Sequence, residues 1–280
     1  MVDIFQGIVI AIIQGIVEWL PISSEGQLSL VLVNILGLSE LEAVTLALLL
    51  HLGTMISVIA YFRSDLLGLR YFRSRLLQVI VVATLGTAVT AIPLIMFFKS
   101  YWETIASNLP LSADILFTVL IGVLLILTGV ILSKQPEQGI RTLESLTARE
   151  ALLLGMAQGI AALPGISRSG MTVTILLVFG LTQSETFRTS FIISIPAVLG
   201  ATGLEFILGG FTVQSGNIAV GQVILPIELI LGIIAITAVI GFLSIETLLR
   251  FRNVRYDKFC VVFGIGTILL AVLLLLIGLL

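Results

Sequence analysis

Long uninterrupted apolar runs dominate the chain and determine its fold class. Six of them approach the length needed to cross a bilayer core of about 30 Å at about 1.5 Å per residue. They predict spanning helices at 44–62, 76–98, 114–133, 187–208, 221–248 and 258–280. Runs of this length fit helices better than the shorter alternating strands of a membrane barrel. The pattern therefore predicts an all-α integral membrane protein.

The composition excludes several other classes of protein. Apolar residues make up 58% of the 280 residues, charged residues only 11%, and the mean hydropathy is +1.21. A soluble domain carries roughly 25% charged residues, so this chain cannot cover a globular surface with polar groups. The net charge of −2 also lacks the basic footprint of a nucleic-acid binder. A soluble enzyme, a disordered chain and a nucleic-acid partner are excluded.

Charged residues between the apolar runs indicate the orientation of the spans. The segments 63–75 and 249–258 each carry four Lys or Arg against one Asp, and 134–150 carries Lys134, Arg141 and Arg149. Under the positive-inside rule these three segments lie in the cytoplasm. The segment 99–113 has one Lys and 209–220 has no Lys or Arg, so both are expected outside.

This orientation leaves two segments that must enter and leave the membrane on the same side. Residues 151–186 begin and end inside, and residues 1–43 are the corresponding hairpin entered from outside. Pro21 and Gly26 interrupt the first hairpin, and Pro164, Gly165 and Gly170 interrupt the second. Because proline removes a donor and glycine loosens the backbone, each segment should split into two half-helices.

The two interrupted segments resemble each other in sequence. Residues 14–26 align with 158–170 at an offset of 144, with six of thirteen positions identical, and Gly37-Leu38-Ser39 resembles Gly180-Leu181-Thr182. Residues 1–280 are therefore predicted to form a single membrane domain built from an inverted-topology repeat. Its halves, 1–150 and 151–280, would each contain a re-entrant broken-helix hairpin and three transmembrane helices.

The hairpin tips carry the polar residues that such a membrane domain rarely tolerates without a function. One tip holds Glu18, Ser23, Ser24, Glu25 and Gln27, and the other holds Ser167, Arg168, Ser169 and Thr172. A guanidinium offers a permanently charged fork of donors, and the half-helix N-termini add free N–H groups. We expect the tips to converge on an anion site suited to phosphate or diphosphate.

Structural readings of the same residues remain open at this stage. Arg168 can pair with Glu18 or Glu25 only to support packing, and the serines can be small residues between helices. Gln14 is more typical of an interhelical hydrogen bond than of a ligand contact. His51, early in a span, is interpreted in the same way rather than as a base.

The motifs resemble the undecaprenyl-diphosphate phosphatase family, the bacitracin-resistance type of membrane phosphatase. Residues 14–26 are similar to its Glu/Gln-rich motif followed by Leu-Pro-Val-Ser-Ser, and Pro164–Gly170 matches Pro-Gly-x-Ser-Arg-Ser-Gly in full. Further similarity runs through Leu50–Thr54 and Ser190–Ala197 and over most of the chain.

The resemblance implies an activity, a location and a set of site residues. The expected reaction removes the terminal phosphate of a polyprenyl diphosphate lipid, which recycles the carrier lipid of cell-envelope synthesis. The expected location is the plasma membrane, with a site open to the external face. A divalent cation, Mg²⁺ or Ca²⁺, is the expected cofactor, and a second copy of the chain is a candidate partner in a homodimer. The catalytic residues would be Glu18, Ser24, Glu25 and Arg168, with Glu18 and Glu25 also as metal ligands. The substrate-binding residues would be Gln14, Ser23, Gln27, Gly165, Ser167, Ser169, Gly170 and Thr172.

One position departs from the family pattern. Gln27 stands where the family usually has a histidine that is proposed as general base or phosphate contact. Glu25 offers a new carboxylate nearby that could compensate by activating water. The alternative function is a carrier that flips a polyprenyl phosphate without hydrolysis. An ion channel is weaker, because the other spans supply few polar residues. The lipid type, undecaprenyl or dolichyl, stays open.

Overall fold

Helices account for most of the chain. The structure is a computed structural model that describes residues 4–68, 74–109, 111–134, 139–250 and 256–278. Its helices are α1 (Ile4–Val17), α2 (Ser24–Asn34), α3 (Glu40–Tyr61), α4 (Arg63–Gly68), α5 (Arg75–Ser107), α6 (Ala113–Leu132), α7 (Ala148–Ile160), α8 (Arg168–Val178), α9 (Gln183–Ile192), α10 (Ser194–Ile207), α11 (Ile227–Arg250) and α12 (Tyr256–Gly278). A short 3₁₀ turn, Leu143–Ser145, precedes α7.

Within the described ranges, six helical stretches are long and apolar enough to cross a membrane. They are α3, α5, α6, the consecutive pair α9 and α10, α11 and α12. The prediction of six spans is confirmed, and the fold fits an all-α membrane protein. Helix α5 continues nine residues beyond the predicted end at 98, to Ser107. Of the cationic residues used to orient the spans, Arg70, Arg73, Arg252 and Arg255 lie outside the described residues.

The predicted start of the fifth span, at residue 221, is wrong. Three short antiparallel strands precede the helix: β1 (Thr212–Gln214), β2 (Asn217–Val220) and β3 (Val223–Pro226). Ser215 and Gly216 both have positive φ, which suits a tight hairpin turn between β1 and β2. The apolar residues of β3 extended the hydrophobic run, and a short run of this kind does not distinguish strand from helix.

Both predicted breaks are present, at the ends of α1 and α7. Residues 18–23 separate α1 from α2, and residues 161–167 separate α7 from α8. Pro21, Pro164 and Gly165 lie in these breaks, whereas Gly26 and Gly170 lie in the first turn of α2 and α8. The interruptions therefore come from the prolines and Gly165, and the other two glycines belong to helix starts.

The two breaks end in the same local structure. Ser23 caps α2 by accepting the N–H of Gly26, and Ser167 caps α8 by accepting the N–H of Gly170. Side-chain oxygens at this position satisfy backbone donors that a helix start leaves unpaired. Ser23 does so from the left-handed region, at φ 57°, which is costly for a residue with a side chain. The surrounding contacts must hold that tip in place.

The helices that follow the hairpins also begin alike. Ser39 accepts the N–H of Glu42 at the start of α3, and Thr182 accepts the N–H of Glu185 at the start of α9. The helix packing is also reciprocal. Helix α1, which starts the first half, lies against α11 of the second half, and α7, which starts the second half, lies against α5 of the first half. Helices α6 and α12 pack on each other, and so do α3 and α10. The breaks thus occupy the centre of a helical assembly.

A polar clamp fixes the beginning of α7. Arg141 pairs with Glu150 and also donates to the carbonyl of Phe179, which follows α8. The hydrogen bond from Arg141 lowers the pKa of Glu150 to about 2. Thr147 and Glu150 complete a capping box at the same helix start. Arg141 therefore links the start of α7 to the residue that follows α8, which joins the two ends of the second broken segment.

Candidate active site

The tips of the two interrupted segments are in direct contact. Ser23 Oγ accepts hydrogen bonds from Gly26 N at 3.2 Å and from Gly165 N at 3.1 Å, so one hydroxyl joins both halves of the chain. Ser169 Oγ donates to the carbonyl of Leu20 at 3.4 Å. Because Ser23 is buried, its hydroxyl supplies the acceptor that these buried backbone N–H groups need.

Glu18 is the buried anion at the centre of the contact. Its Oε1 pairs with Nη2 of Arg168 from the opposite half. Its Oε2 accepts a hydrogen bond from Ser24 Oγ at 2.5 Å and another from Gln14 Nε2 at 2.9 Å. A charge this deeply buried is tolerated only when it is paired and fully hydrogen-bonded, and both conditions are met here.

Arg168 is only partly satisfied by this pair. Its Nη2 contacts Glu18, but Nη1 is buried and has no hydrogen-bond partner among the described residues. Buried donors are nearly always paired in native proteins, so an orphaned guanidinium N–H requires an explanation. The ion pair between Arg168 and Glu18, which the sequence left open as a structural role, is therefore present, and it uses only one side of the Arg168 guanidinium.

His51 also reaches the site, although the sequence favoured a role between helices. Its Nε2 lies 3.1 Å from Glu18 Oε2 and 3.4 Å from Ser24 Oγ. Its Nδ1 lies 2.8 Å from the carbonyl of Ala47 on the same helix. The signal that could have identified it is its chemistry, because it is the one histidine of the chain and lies in an apolar span.

Two adjoining cavities reach these side chains. A small polar cavity of about 30 Å³ is lined by residues from both tips, including Glu18, Ser24 and Ser167. A larger cavity of about 420 Å³ runs between α3, α5, α7 and α10 with mostly apolar walls. Glu25, His51 and Arg168 line both cavities. The charged centre therefore opens onto an apolar chamber.

The remaining residues of the predicted site fall into two groups. Ser23, Ser167 and Ser169 line the small cavity, and Ser167 and Ser169 lie within 3.2 Å of each other. The other group does not line either of these cavities and consists of Gln14, Gln27, Gly165, Gly170 and Thr172.

The members of this second group support the first through particular contacts. Gln27 donates to the carbonyl of Ile22 at 3.4 Å. Thr172 donates to the carbonyl of Arg168 at 3.0 Å and contacts Ser190 at 2.6 Å. Gln14 orients Glu18, and the N–H groups of Gly165 and Gly170 bind the capping serines. The structure therefore brings most of the predicted residues to one place but gives them unequal access to a ligand.

The carboxylates do not fit a metal site held by the protein alone. Both oxygens of Glu18 are already engaged by Arg168, Ser24 and Gln14. Within the described part of the chain, no group of three His, Cys, Asp or Glu is placed to hold a metal ion. The expected requirement for Mg²⁺ or Ca²⁺ stays a prediction.

Comparison with known proteins covers almost the whole chain. Residues 7–273 match the family model described as bacitracin resistance protein BacA. A relative from Methanothrix thermoacetophila is 38% identical over 97% of this chain and 98% of its own length. Relatives from Methanococcoides burtonii and Saccharolobus solfataricus are 33% and 35% identical, with at least 96% of each chain covered. All three bear the name undecaprenyl-diphosphatase.

Replacing Ser23 tests the contact between the tips. We expect Ser23→Ala to leave two buried N–H groups without an acceptor, at a cost of about 1–3 kcal/mol each. Thermal unfolding of the purified protein in detergent should show a clear fall in Tm.

Ser29→Ala is the matched control, because Ser29 is a buried serine of α2, the helix that Ser23 caps, and its hydroxyl has no described partner. That variant should unfold at or above the wild-type Tm. Equal Tm values for the two variants would show that Ser23 does not join the halves.

Proposed function

The chain belongs to the bacitracin resistance protein BacA family, and from this membership we propose that it is a membrane phosphatase of polyprenyl diphosphates. It would cleave the terminal phosphate from an undecaprenyl-type diphosphate and leave the polyprenyl monophosphate for reuse. The observation that carries the proposal is Arg168, which lines both a polar and an apolar cavity and whose buried Nη1 has no partner among the described residues.

The polar side of the junction suits a phosphate group. A guanidinium binds phosphate oxygens through parallel N–H donors, and its unpaired half is available to do so. Helices α2 and α8 begin at Ser24 and Arg168, so their N-terminal N–H groups and positive dipole ends lie at the tips. These features stabilise the charge that develops on phosphoryl oxygens during transfer.

Ser24 is the hydroxyl best placed to attack phosphorus. It lies beside Glu18 and lines the small cavity into which a terminal phosphate would extend. Attack by its Oγ would split hydrolysis into formation and breakdown of a phosphoserine. Glu25 lines both cavities and makes no hydrogen bond or ion pair with the described residues. Its carboxylate is therefore free to orient the water of the second step.

The apolar chamber suits the lipid end of the same substrate. Its walls include Leu41, Val44 and Leu48 of α3 and Ile92 and Ile95 of α5. About 420 Å³ is within the usual range for a small-molecule pocket, so it would hold the isoprene units nearest the diphosphate. The rest of a long prenyl chain would extend into the bilayer.

The location of the chamber supports a site that opens toward the external face. Lys99 in the last third of α5 and Glu205 near the end of α10 line the chamber and form an ion pair. The charge pattern of the segments between the spans predicts that these parts of α5 and α10 lie toward the outside. The same pattern predicts that the two broken segments are re-entrant hairpins of an inverted repeat. The reciprocal packing of α1 on α11 and of α7 on α5 supports that topology. The plasma-membrane location, the homodimer and the lipid type stay predictions.

Phosphate release is the direct test of this function. Purified protein in detergent with Mg²⁺ or Ca²⁺ should liberate inorganic phosphate from undecaprenyl diphosphate at a rate proportional to protein concentration. Release indistinguishable from that of empty detergent micelles would contradict the proposal. If such a sample still bound the monophosphate, the carrier function would explain the site better.

Arg168→Lys tests the phosphate contact. An ammonium keeps the charge but lacks the fork of donors. A lost hydrogen bond to a charged group costs about 1.5–3 kcal/mol, so we expect kcat/KM to fall about 10–100-fold. Arg188→Lys is the matched control, because Arg188 forms its ion pair with Asp65 away from the cavities. Equal kcat/KM in both variants would leave Arg168 with a structural role only.

Filling the apolar chamber tests the lipid contact. Ala88 of α5 lines the chamber, so Ala88→Phe should raise KM for a long-chain diphosphate by displacing the prenyl group. The neighbouring Val89 is exposed and points away from the chamber wall, which makes Val89→Phe the control. Steady-state kinetics on both variants measures the effect. An unchanged KM for Ala88→Phe would place the lipid elsewhere.

A further inference from the structure

Lys99 and Glu205 form a second charged group on the wall of the apolar chamber. Lys99 extends from α5 and Glu205 from α10, and their side chains make an ion pair. The Glu205 side chain is only 5% exposed, and that of Lys99 is 21% exposed. A buried ion pair contributes little net stability, because the cost of removing both charges from water offsets their attraction. The pair therefore requires an explanation beyond packing.

The pair is separated from the contact between the two tips. Thr90 of α5 contacts the final turns of α7, where its hydroxyl donates to the carbonyl of Met156 at 2.9 Å. Lys99 follows nine residues later in the same helix, which is about 13 Å along its axis. The α5 residues between them that line the chamber are all apolar, namely Ala91, Ile92, Ile95 and Phe98. Lys99 and Glu205 thus share the cavity of Arg168 but belong to a different part of its wall.

Lys99 retains most of its capacity to donate hydrogen bonds. An ammonium group has three N–H donors, and the described residues engage one of them, through Glu205. The side chain lines the chamber and is half-buried, so a ligand inside the chamber can reach the other donors. Lysine binds phosphate as a compact point charge on a flexible stem. A phosphate group is therefore an anion that suits this position.

The reaction proposed above gives the chamber two reasons to hold a phosphate away from Arg168. The substrate brings its diphosphate to the site, and hydrolysis leaves inorganic phosphate that has to be removed. Either anion is costly to place between apolar walls without a counter-charge. Lys99 supplies such a counter-charge, and Glu205 keeps it paired until the anion arrives. Because the two anions compete for one ammonium, phosphate binds there weakly, which suits a group in transit.

We propose that Lys99 is a second phosphate subsite of the chamber, and that Glu205 occupies it while no phosphate is bound. The inference rests on the proposed function, because the phosphatase reaction is what brings phosphate to the chamber. The incoming phosphate displaces the Glu205 carboxylate from the ammonium, and no covalent bond forms or breaks. Glu205 therefore weakens phosphate binding and Lys99 strengthens it, whereas the two members of a merely structural pair act in the same direction.

Two variants with a neutral residue at position 205 test the subsite. Glu205→Gln removes the competing charge, and the double variant Glu205→Gln with Lys99→Met also removes the ammonium without leaving a buried carboxylate unpaired. The rise of Tm with the concentration of inorganic phosphate in detergent reports the phosphate Kd. We expect Glu205→Gln to bind phosphate about tenfold more tightly than wild type, and the double variant to lose that gain.

Two controls isolate the effect of the pair. Arg168 is intact in every variant, so its own contribution to phosphate binding is common to all of them. Lys134→Met removes an exposed lysine that follows α6 and lines neither cavity. That variant should show the wild-type dependence of Tm on phosphate.

Kinetics with undecaprenyl diphosphate identify which phosphate uses the subsite. If the lipid headgroup binds there, the double variant has a higher KM than Glu205→Gln. If the released phosphate binds there, KM is equal in the two variants, and added inorganic phosphate inhibits the double variant less. Either result supports the subsite.

Equal phosphate Kd values in Glu205→Gln and the double variant would overturn the subsite. Weaker phosphate binding in Glu205→Gln than in wild type would also overturn it, by showing that the pair has a structural role only. The binding measurement needs no turnover. Wild-type protein that releases no phosphate from the lipid would therefore refute the proposed function, while the Kd values would still decide the role of Lys99.

Discussion

The ion pair between Glu18 and Arg168 is the interaction on which the rest of the structure depends. Each charge alone would be prohibitively costly at this depth, and the pair is tolerated only because further donors complete it. Since the partners come from different halves, neither half can satisfy its own tip. Breaking one side of such a pair typically costs about 3–5 kcal/mol, so the pair holds the two interrupted segments together.

The same pair prepares the site for an anion. Glu18 occupies one side of the guanidinium, which leaves Nη1 buried and without a partner among the described residues, on a side chain that lines both cavities. Glu18 also gathers Ser24 and His51 around its second oxygen. One carboxylate therefore orients the phosphate-binding group and the hydroxyl that would act on phosphorus. Preorganisation of this kind avoids the cost of assembling charges when the substrate arrives.

Much of this arrangement could be predicted from the sequence, because it depends on local rules. Pro21, Pro164 and Gly165 disfavour a continuous helix by local backbone rules, and long apolar runs specify spans by length alone. Arg168 and Glu18 were identifiable since ionisable residues inside a membrane need a partner or a function. The serines Ser23 and Ser167 followed from the repeated motif, and the structure gives both the same capping role.

The rest depended on packing between distant segments. His51 reaches Ser24 only because α3 lies against α2, which no spacing within α3 reveals. Gln27 is adjacent in sequence to the tip, yet its side chain turns back to Ile22. The strands before α11 were hidden because Val223, Ile224 and Leu225 extend an apolar run without a helical period.

Disulfide trapping of the two tips in native membranes tests the central claim most directly. Leu20→Cys and Ser169→Cys would be combined with Cys260→Ser and a protease site inserted between 134 and 139. Because the Ser169 side chain contacts the Leu20 backbone, the cleaved halves should stay joined after oxidation and separate on reduction. Pairing Ser169→Cys with Ile35→Cys, at the far end of α2, should give separate halves throughout. Separate halves for the first pair, despite full reactivity of both cysteines, would contradict the account.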